Sequence, residues 1–217
     1  KKLKSKNTCK EDLEMQLKAQ EIINNEYMPY LLFAEAFDYN INTTKKLIKT
    51  ANARGCEVFA YDTFKLDSDG DGTAYIGFIN DSKSIFQEIK KTNMAGVMTL
   101  QLKMGQKQRR ILDLDMFANA LGVSEVASES LMIRALQSDE YAGQKNECKV
   151  WNYIKGSDGG HTSIKEFVTL KEDKRYILVF HTKSRNSPTG VQVILEYNGD
   201  FCHYKEIGYA SCVDAKY

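Results

Sequence analysis

The chain has 217 residues, enough for one large domain or two small ones. Hydrophobic residues make up 42% of it, and 30 basic against 29 acidic side chains leave a net charge of +1. That balance fits a folded soluble protein and argues against a dedicated nucleic-acid binder, which carries a basic excess. No stretch approaches the ~18–20 consecutive apolar residues that span a bilayer.

Residues 10–38 predict a helical stretch with an irregular apolar stripe through Leu13, Leu17, Ile22 or Ile23 and Tyr27. Pro29 has no amide hydrogen and clashes with the preceding turn, so it kinks or splits the helix at about Met28. A second apolar piece, Tyr30 to Phe37, follows. Tyr27, Tyr30, Phe33 and Phe37 are the candidate contacts for a partner helix, with burial inside the same chain as the alternative. The heptads are too few and irregular to define a coiled coil. The chain begins Lys1-Lys2-Leu3-Lys4-Ser5-Lys6 without a Met. That start suits a membrane-proximal stretch cut from a longer, anchored protein, and equally a solvated terminus.

From Asn42 to Ala120 the pattern reads helix, strand, turn, strand, helix, strand, turn, strand. Asn42-Thr43-Thr44 supplies helix-capping residues and Gly55 a stop. A strand is expected over 56–66 and a second over 73–79, where Thr, Tyr, Ile and Phe favour β structure. Asn80-Asp81-Ser82 then caps a short helix with Ile85, Phe86 and Ile89 on one face. Residues 97–103 alternate with period two, and 109–117 closes the layer as a last strand.

Between the first two strands lies Asp67-Ser68-Asp69-Gly70-Asp71-Gly72, the opening of a calcium-loop pattern. Asp67, Asp69 and Asp71 would be the ligands, for weak calcium binding at most. The twelfth loop position is Phe78 rather than a bidentate Glu, so the loop is short of oxygens. An acidic turn using the positive φ of glycine is the competing account. No other cofactor is indicated. His161, His181 and His203 show no metal-ligand spacing, and there is no nucleophile elbow, P-loop, zinc-protease helix or dinucleotide fingerprint. Nothing nominates a nucleophile or base, so an enzyme is not expected.

Residues 128–141 predict a helix carrying Leu131, Met132, Ala135 and Leu136. Strands are expected over 149–154, 162–170, 175–183, 190–198 and 202–210, separated by turn residues, as in an antiparallel sheet. Five cysteines, Cys9, Cys56, Cys148, Cys202 and Cys212, contain no C-x-x-C. A Cys202–Cys212 disulfide would pin a terminal hairpin in an oxidising compartment, and two ordinary thiols are the alternative. The expected fold class is α+β: a helical stretch over 1–40, a ferredoxin-like βαββ layer over 41–120, and a helix with an antiparallel sheet over 121–217.

The run 42–120 resembles the periplasmic domain of PilO-type proteins, the inner-membrane alignment components of type IV pili with relatives in type II secretion. The matching pieces are Ala53-Arg54-Gly55, Ala74-Tyr75-Ile76-Gly77-Phe78, the Ile85-Phe86 helix, Gly96-Val97-Met98-Thr99-Leu100-Gln101-Leu102 and Ile111-Leu112-Asp113-Leu114-Asp115-Met116. The resemblance implies a periplasmic, non-enzymatic assembly component, anchored in the inner membrane by a preceding segment. It would pair with itself or with another envelope protein, and with no nucleic acid. A minor pilin or pseudopilin with a C-terminal disulfide loop is the second reading, and an extracytoplasmic ligand-sensing or calcium-binding module the third.

Overall fold

The computed structural model describes residues 10–35, 40–64, 72–100, 109–114, 126–155, 161–200 and 202–212. The protein is mixed α+β, with a leading helix and a six-stranded antiparallel sheet. It divides into two compact units, Lys1–Tyr61 with Gln87–Val97, and Asp62–Phe86 with Met98–Tyr217.

Helix α1 spans Lys10–Ile22, runs into a π-helical turn at Ile23–Tyr27, and ends in a 3-10 turn at Met28–Tyr30 that holds Pro29. Leu31 is already extended, and 31–35 contain no helix. Proline therefore stops this helix instead of kinking it into a second piece. Helix α2, Ile41–Ala53, starts one residue before the expected Asn42. The Oδ1 of Asn40 accepts from the amide of Asn42 at 2.8 Å, and Gly55 closes the helix at φ +81°. In the first unit Ile48, Ile89 and Met94 are buried. The buried Glu88 is paired with Lys49 at 3.7 Å and with Lys91 at 3.9 Å.

The stretch expected to form a βαββ layer folds differently. Strands β1, Val58–Phe64, and β2, Ala95–Leu100, pair as a two-stranded sheet. The strand expected over 73–79 is instead the first half of helix α3, Gly72–Lys91. Asn80, Asp81 and Ser82, expected as its cap, lie inside it. The β propensity of Thr73–Ile79 is worth only tenths of a kcal/mol per residue. It yields to a continuous helix whose Ser82, Ile85 and Ile89 are buried at helical spacing. Lys90 and Lys91 lie in its last turn, where cations complement the helix dipole. Residues 109–114 contain no strand, and 115–117 lie outside the described residues. The ferredoxin-like layer is therefore not formed among the described residues.

The six strands of the large sheet are β3 (Glu129–Ala135), β4 (Lys149–Lys155), β5 (His161–Val168), β6 (Arg175–Ser184), β7 (Gln192–Asn198) and β8 (His203–Ser211). Their order is β3-β6-β7-β8-β4-β5, and every neighbouring pair is antiparallel. Five strands fall where the alternation predicts them. The sixth, β3, replaces an expected helix. Its Met132 is buried opposite Phe180, while Leu131 and Ile133 project to the other face, 60% and 59% exposed. The spacing of Leu131, Met132, Ala135 and Leu136 mimics a helical stripe, but pairing of β3 over its whole length with β6 decides the outcome.

Tyr176, Leu178 and Phe180 of β6 alternate into the core and meet Met132, Val150, Leu170 and Ile194. Each fully buried aliphatic side chain such as Leu178 or Ile194 contributes about 1.5–3 kcal/mol. A bulge between Ile194 and Leu195 re-aims β8 at Gly208, whose φ is +154°. A β-carbon there would lie 2.5 Å from the carbonyl oxygen of Trp151 and 2.6 Å from Oδ1 of Asn152. Gly208→Ala should therefore destabilise the sheet by at least the roughly 1–3 kcal/mol of a strained backbone position. Urea unfolding checks it, and an unchanged midpoint would show that β8 shifts freely.

Candidate functional site

Charged side chains are rare inside a protein, because an unpaired buried ion costs several kcal/mol. The large-sheet unit nevertheless buries Glu140 completely, at 0% exposure. Glu140 ends a 3-10 turn, Ser138–Glu140, that follows β3. Arg134 of β3 donates to both of its oxygens, at 2.7 Å from Nη1 and 2.6 Å from Nη2. The amide of Gln137 donates to it at 2.8 Å, and Arg110 lies 3.3 Å away. Arg110 is also bound to Asp139, which accepts from Asn146 Nδ2 at 2.8 Å. Nε of Arg134 donates to the backbone oxygen of Arg110 at 2.7 Å. Two cations and two carboxylates thus neutralise each other. Asp139 is held below its usual value by Arg110 and then by Asn146, and Arg110 is raised by Asp139 in return. An open cleft of about 470 Å³ lies beside this cluster, lined by Ser138, Asp139, Tyr141, Gln144 and Glu172.

Two sulfurs abut the cluster. Cys148, just before β4, and Cys212, just after β8, are both buried, with Sγ atoms 3.1 Å apart. Nη2 of Arg134 reaches Cys212 Sγ at 3.7 Å. The hydrogen bond with Cys148 draws Cys212 toward the thiolate against the opposing effect of burial, and the positive charge of Arg134 adds to it. The same hydrogen bond, together with burial, pushes Cys148 up.

A second polar feature is the β6–β7 turn. Ser184 Oγ donates to Glu129 at 2.8 Å and accepts from the amides of Asn186 at 3.1 Å and Ser187 at 2.9 Å. Gly190, at φ +83°, donates to the oxygen of His181 at 2.9 Å and closes the turn. His181 Nε2 lies 2.7 Å from Glu129, which His181 and then Ser184 hold below its usual value. The turn is therefore built, and it carries the exposed Arg185, whose Nη2 donates to the oxygen of Val126 at 3.5 Å, just after Lys183 near the end of β6. The amide of Arg185 donates to Ser128 at 3.1 Å.

Among the described residues, those singled out from sequence do not meet in one place. Asp67, Asp69 and Asp71 lie outside the described residues, as does Phe37. Among the described residues no group of His, Cys, Asp and Glu is arranged to hold a metal. Tyr27, Tyr30 and Phe33 are exposed. Cys202 and Cys212 are free thiols, Cys202 exposed in the β7–β8 turn and Cys212 facing Cys148. The Arg110–Arg134–Asp139–Glu140 cluster was missed. Its one sequence signal is Arg134 inside the apolar run 131–136, a charge that a buried strand tolerates only with a partner.

Two outcomes follow from the cluster. Glu140→Ala leaves two buried guanidinium groups without their shared carboxylate and should cost about 3–5 kcal/mol, read by urea unfolding. Loss of less than 1 kcal/mol would mean that water replaces the carboxylate. Asp139 binds its proton less tightly folded than unfolded, so its contribution is complete above about pH 4 and is lost as pH falls through its lowered value. Between pH 6 and pH 3 the native protein should lose more stability than Asp139→Asn, and equal losses would remove Asp139 from the linkage.

No protein-family model and no curated protein matches the chain. It is similar to a chain in the solved structure of a DnaB-like replicative helicase and its interactions with primase, with a TM-score of 0.64 and 12% identity. The similarity covers 92% of this chain and 42% of that one, so this chain spans less than half the neighbour's length. Several expectations are corrected by it. The PilO resemblance rested on an order of elements that residues 73–79 and 109–114 do not adopt, and the neighbour is a helicase, not a pilus or secretion component. The envelope-assembly function and its partners lose their support, including the minor-pilin and ligand-sensing variants. No described helix is long and apolar enough to cross a membrane. The neighbour is named as a replicative helicase that interacts with primase, so the expectations of a non-enzyme and of envelope partners lose their support.

Proposed function

We propose that this chain is part of a nucleic-acid-unwinding enzyme of the DnaB-like kind, and that its large-sheet unit presents the β6–β7 turn to phosphate. The observation that carries this reading is the likeness in fold to a replicative helicase over 92% of the chain. A near-neutral total charge says nothing about where the charges sit, and nucleic acid responds to local potential. The sequence holds no G-x-x-x-x-G-K-[ST] segment, and we assign the phosphate contact to a side chain. Arg185 suits that role. It is exposed on a turn whose backbone is held by Ser184 and Gly190, and a guanidinium grips phosphate oxygens two at a time. Lys183 lies two residues before it, near the end of β6.

Anisotropy of a labelled single-stranded oligonucleotide, titrated with the protein from 20 to 200 mM salt, tests this. Binding should weaken linearly in log–log form. Arg185→Ala should lower the slope by about one, while Arg185→Lys should keep it. Absence of salt-dependent binding, or an unchanged slope in Arg185→Ala, would overturn the assignment.

A further inference from the structure

We propose that Cys148 and Cys212 are a redox modification site, joined by a hydroperoxide oxidant into a disulfide that ties the end of β8 to the start of β4. The register supports this before the sulfurs are considered. Lys149 pairs with Ser211 and Val150 with Ala210, so one further step sets Cys148 opposite Cys212. The amide of Cys148 donates to the oxygen of Glu140 at 2.9 Å, and that of Cys212 donates to Oε1 of Gln192 at 3.0 Å. Neither amide bonds across the pair, which is the closer kind of antiparallel pairing, with Cα atoms about 4.5 Å apart. Disulfides need about 4.4–6.8 Å between Cα atoms. The sulfurs already lie 3.1 Å apart, so bonding requires about one ångström of closure and no change of fold.

The chemistry is self-contained once the oxidant is named. The Cys212 thiolate, favoured by Arg134, attacks a peroxide oxygen. An S–O bond forms, the O–O bond breaks, and the departing hydroxide takes a proton to leave as water. The Cys148 thiol then gives up its proton and attacks the sulfenic sulfur of Cys212. The S–S bond forms, the S–O bond breaks and a second water leaves. Two thiols lose two electrons in total, and the peroxide gains them. Burial of both sulfurs restricts the oxidant to a small molecule. Cys202, exposed and on the far side of β8 in sequence, has no part in the pair.

The site is tested by treating the whole chain with hydrogen peroxide, alkylating the remaining thiols, and mapping the digest by mass spectrometry. The expected product is a linked peptide pair holding Cys148 and Cys212, reversed by dithiothreitol. The oxidised protein should also melt roughly 5–15 °C higher, as a closed loop of this length implies. Cys148→Ser should abolish the rise, and Cys202→Ser should retain it. A Cys202–Cys212 link, over-oxidation without any link, or five alkylated thiols would each overturn the proposal, and the mapping on the native chain stands even if Cys148→Ser fails to fold.

Discussion

The carboxylate of Glu140 is the point on which the large-sheet unit depends. It is fully buried, Arg134 clasps both of its oxygens, and Arg110 approaches from a separate segment. That requirement joins three stretches far apart in the chain: the segment around Arg110, strand β3, and the turn leading to β4. The backbone of Glu140 adds a fourth link, because its oxygen receives the amide of Cys148. A buried ion cluster of this kind adds little net stability over an apolar packing of the same volume. What it does impose is a single arrangement, since any other leaves a buried charge unmatched.

The sulfur pair is a consequence of that arrangement. Cys148 and Cys212 stand opposite one another because β4 and β8 are sheet neighbours in the stated register, and Arg134 reaches both Glu140 and Cys212. One guanidinium therefore serves the ion cluster and biases a thiol toward its reactive form. The two features share an atom group, so a change in the redox state of the sulfurs acts on the same arginine that holds the buried carboxylate.

Likeness of fold and identity of function are separate matters. At 12% identity with the helicase chain few side chains are shared, so the scaffold carries over and the chemistry has to be found locally. One place where this scaffold carries a cation on a built turn is Arg185, between β6 and β7. Ser184 and Gly190 hold the backbone there, and Glu129 is bound by His181 and Ser184.

Much of the large sheet was legible in the chain alone. Strands β4 to β8 alternate with period two and are bounded by Gly, Asn, Asp and Lys, and that local signal is also what the backbone obeys. Helix α2 was legible for the same reason, with Gly55 as its stop. Three elements were not. Residues 73–79 look like a strand and fold as helix, residues 129–135 look like a helix and fold as strand, and of the strand expected over 109–117 the described residues 109–114 contain none. In the first two cases weak propensity was overruled by continuity of the helix and by a sheet partner. Local pattern suggested Cys202 as the partner of Cys212 and did not mark Arg134, whereas the fold sets Cys212 against Cys148. Which sulfur faces Cys212, and which carboxylate meets Arg134, depends on strand order and register, and those are decided only when the sheet closes.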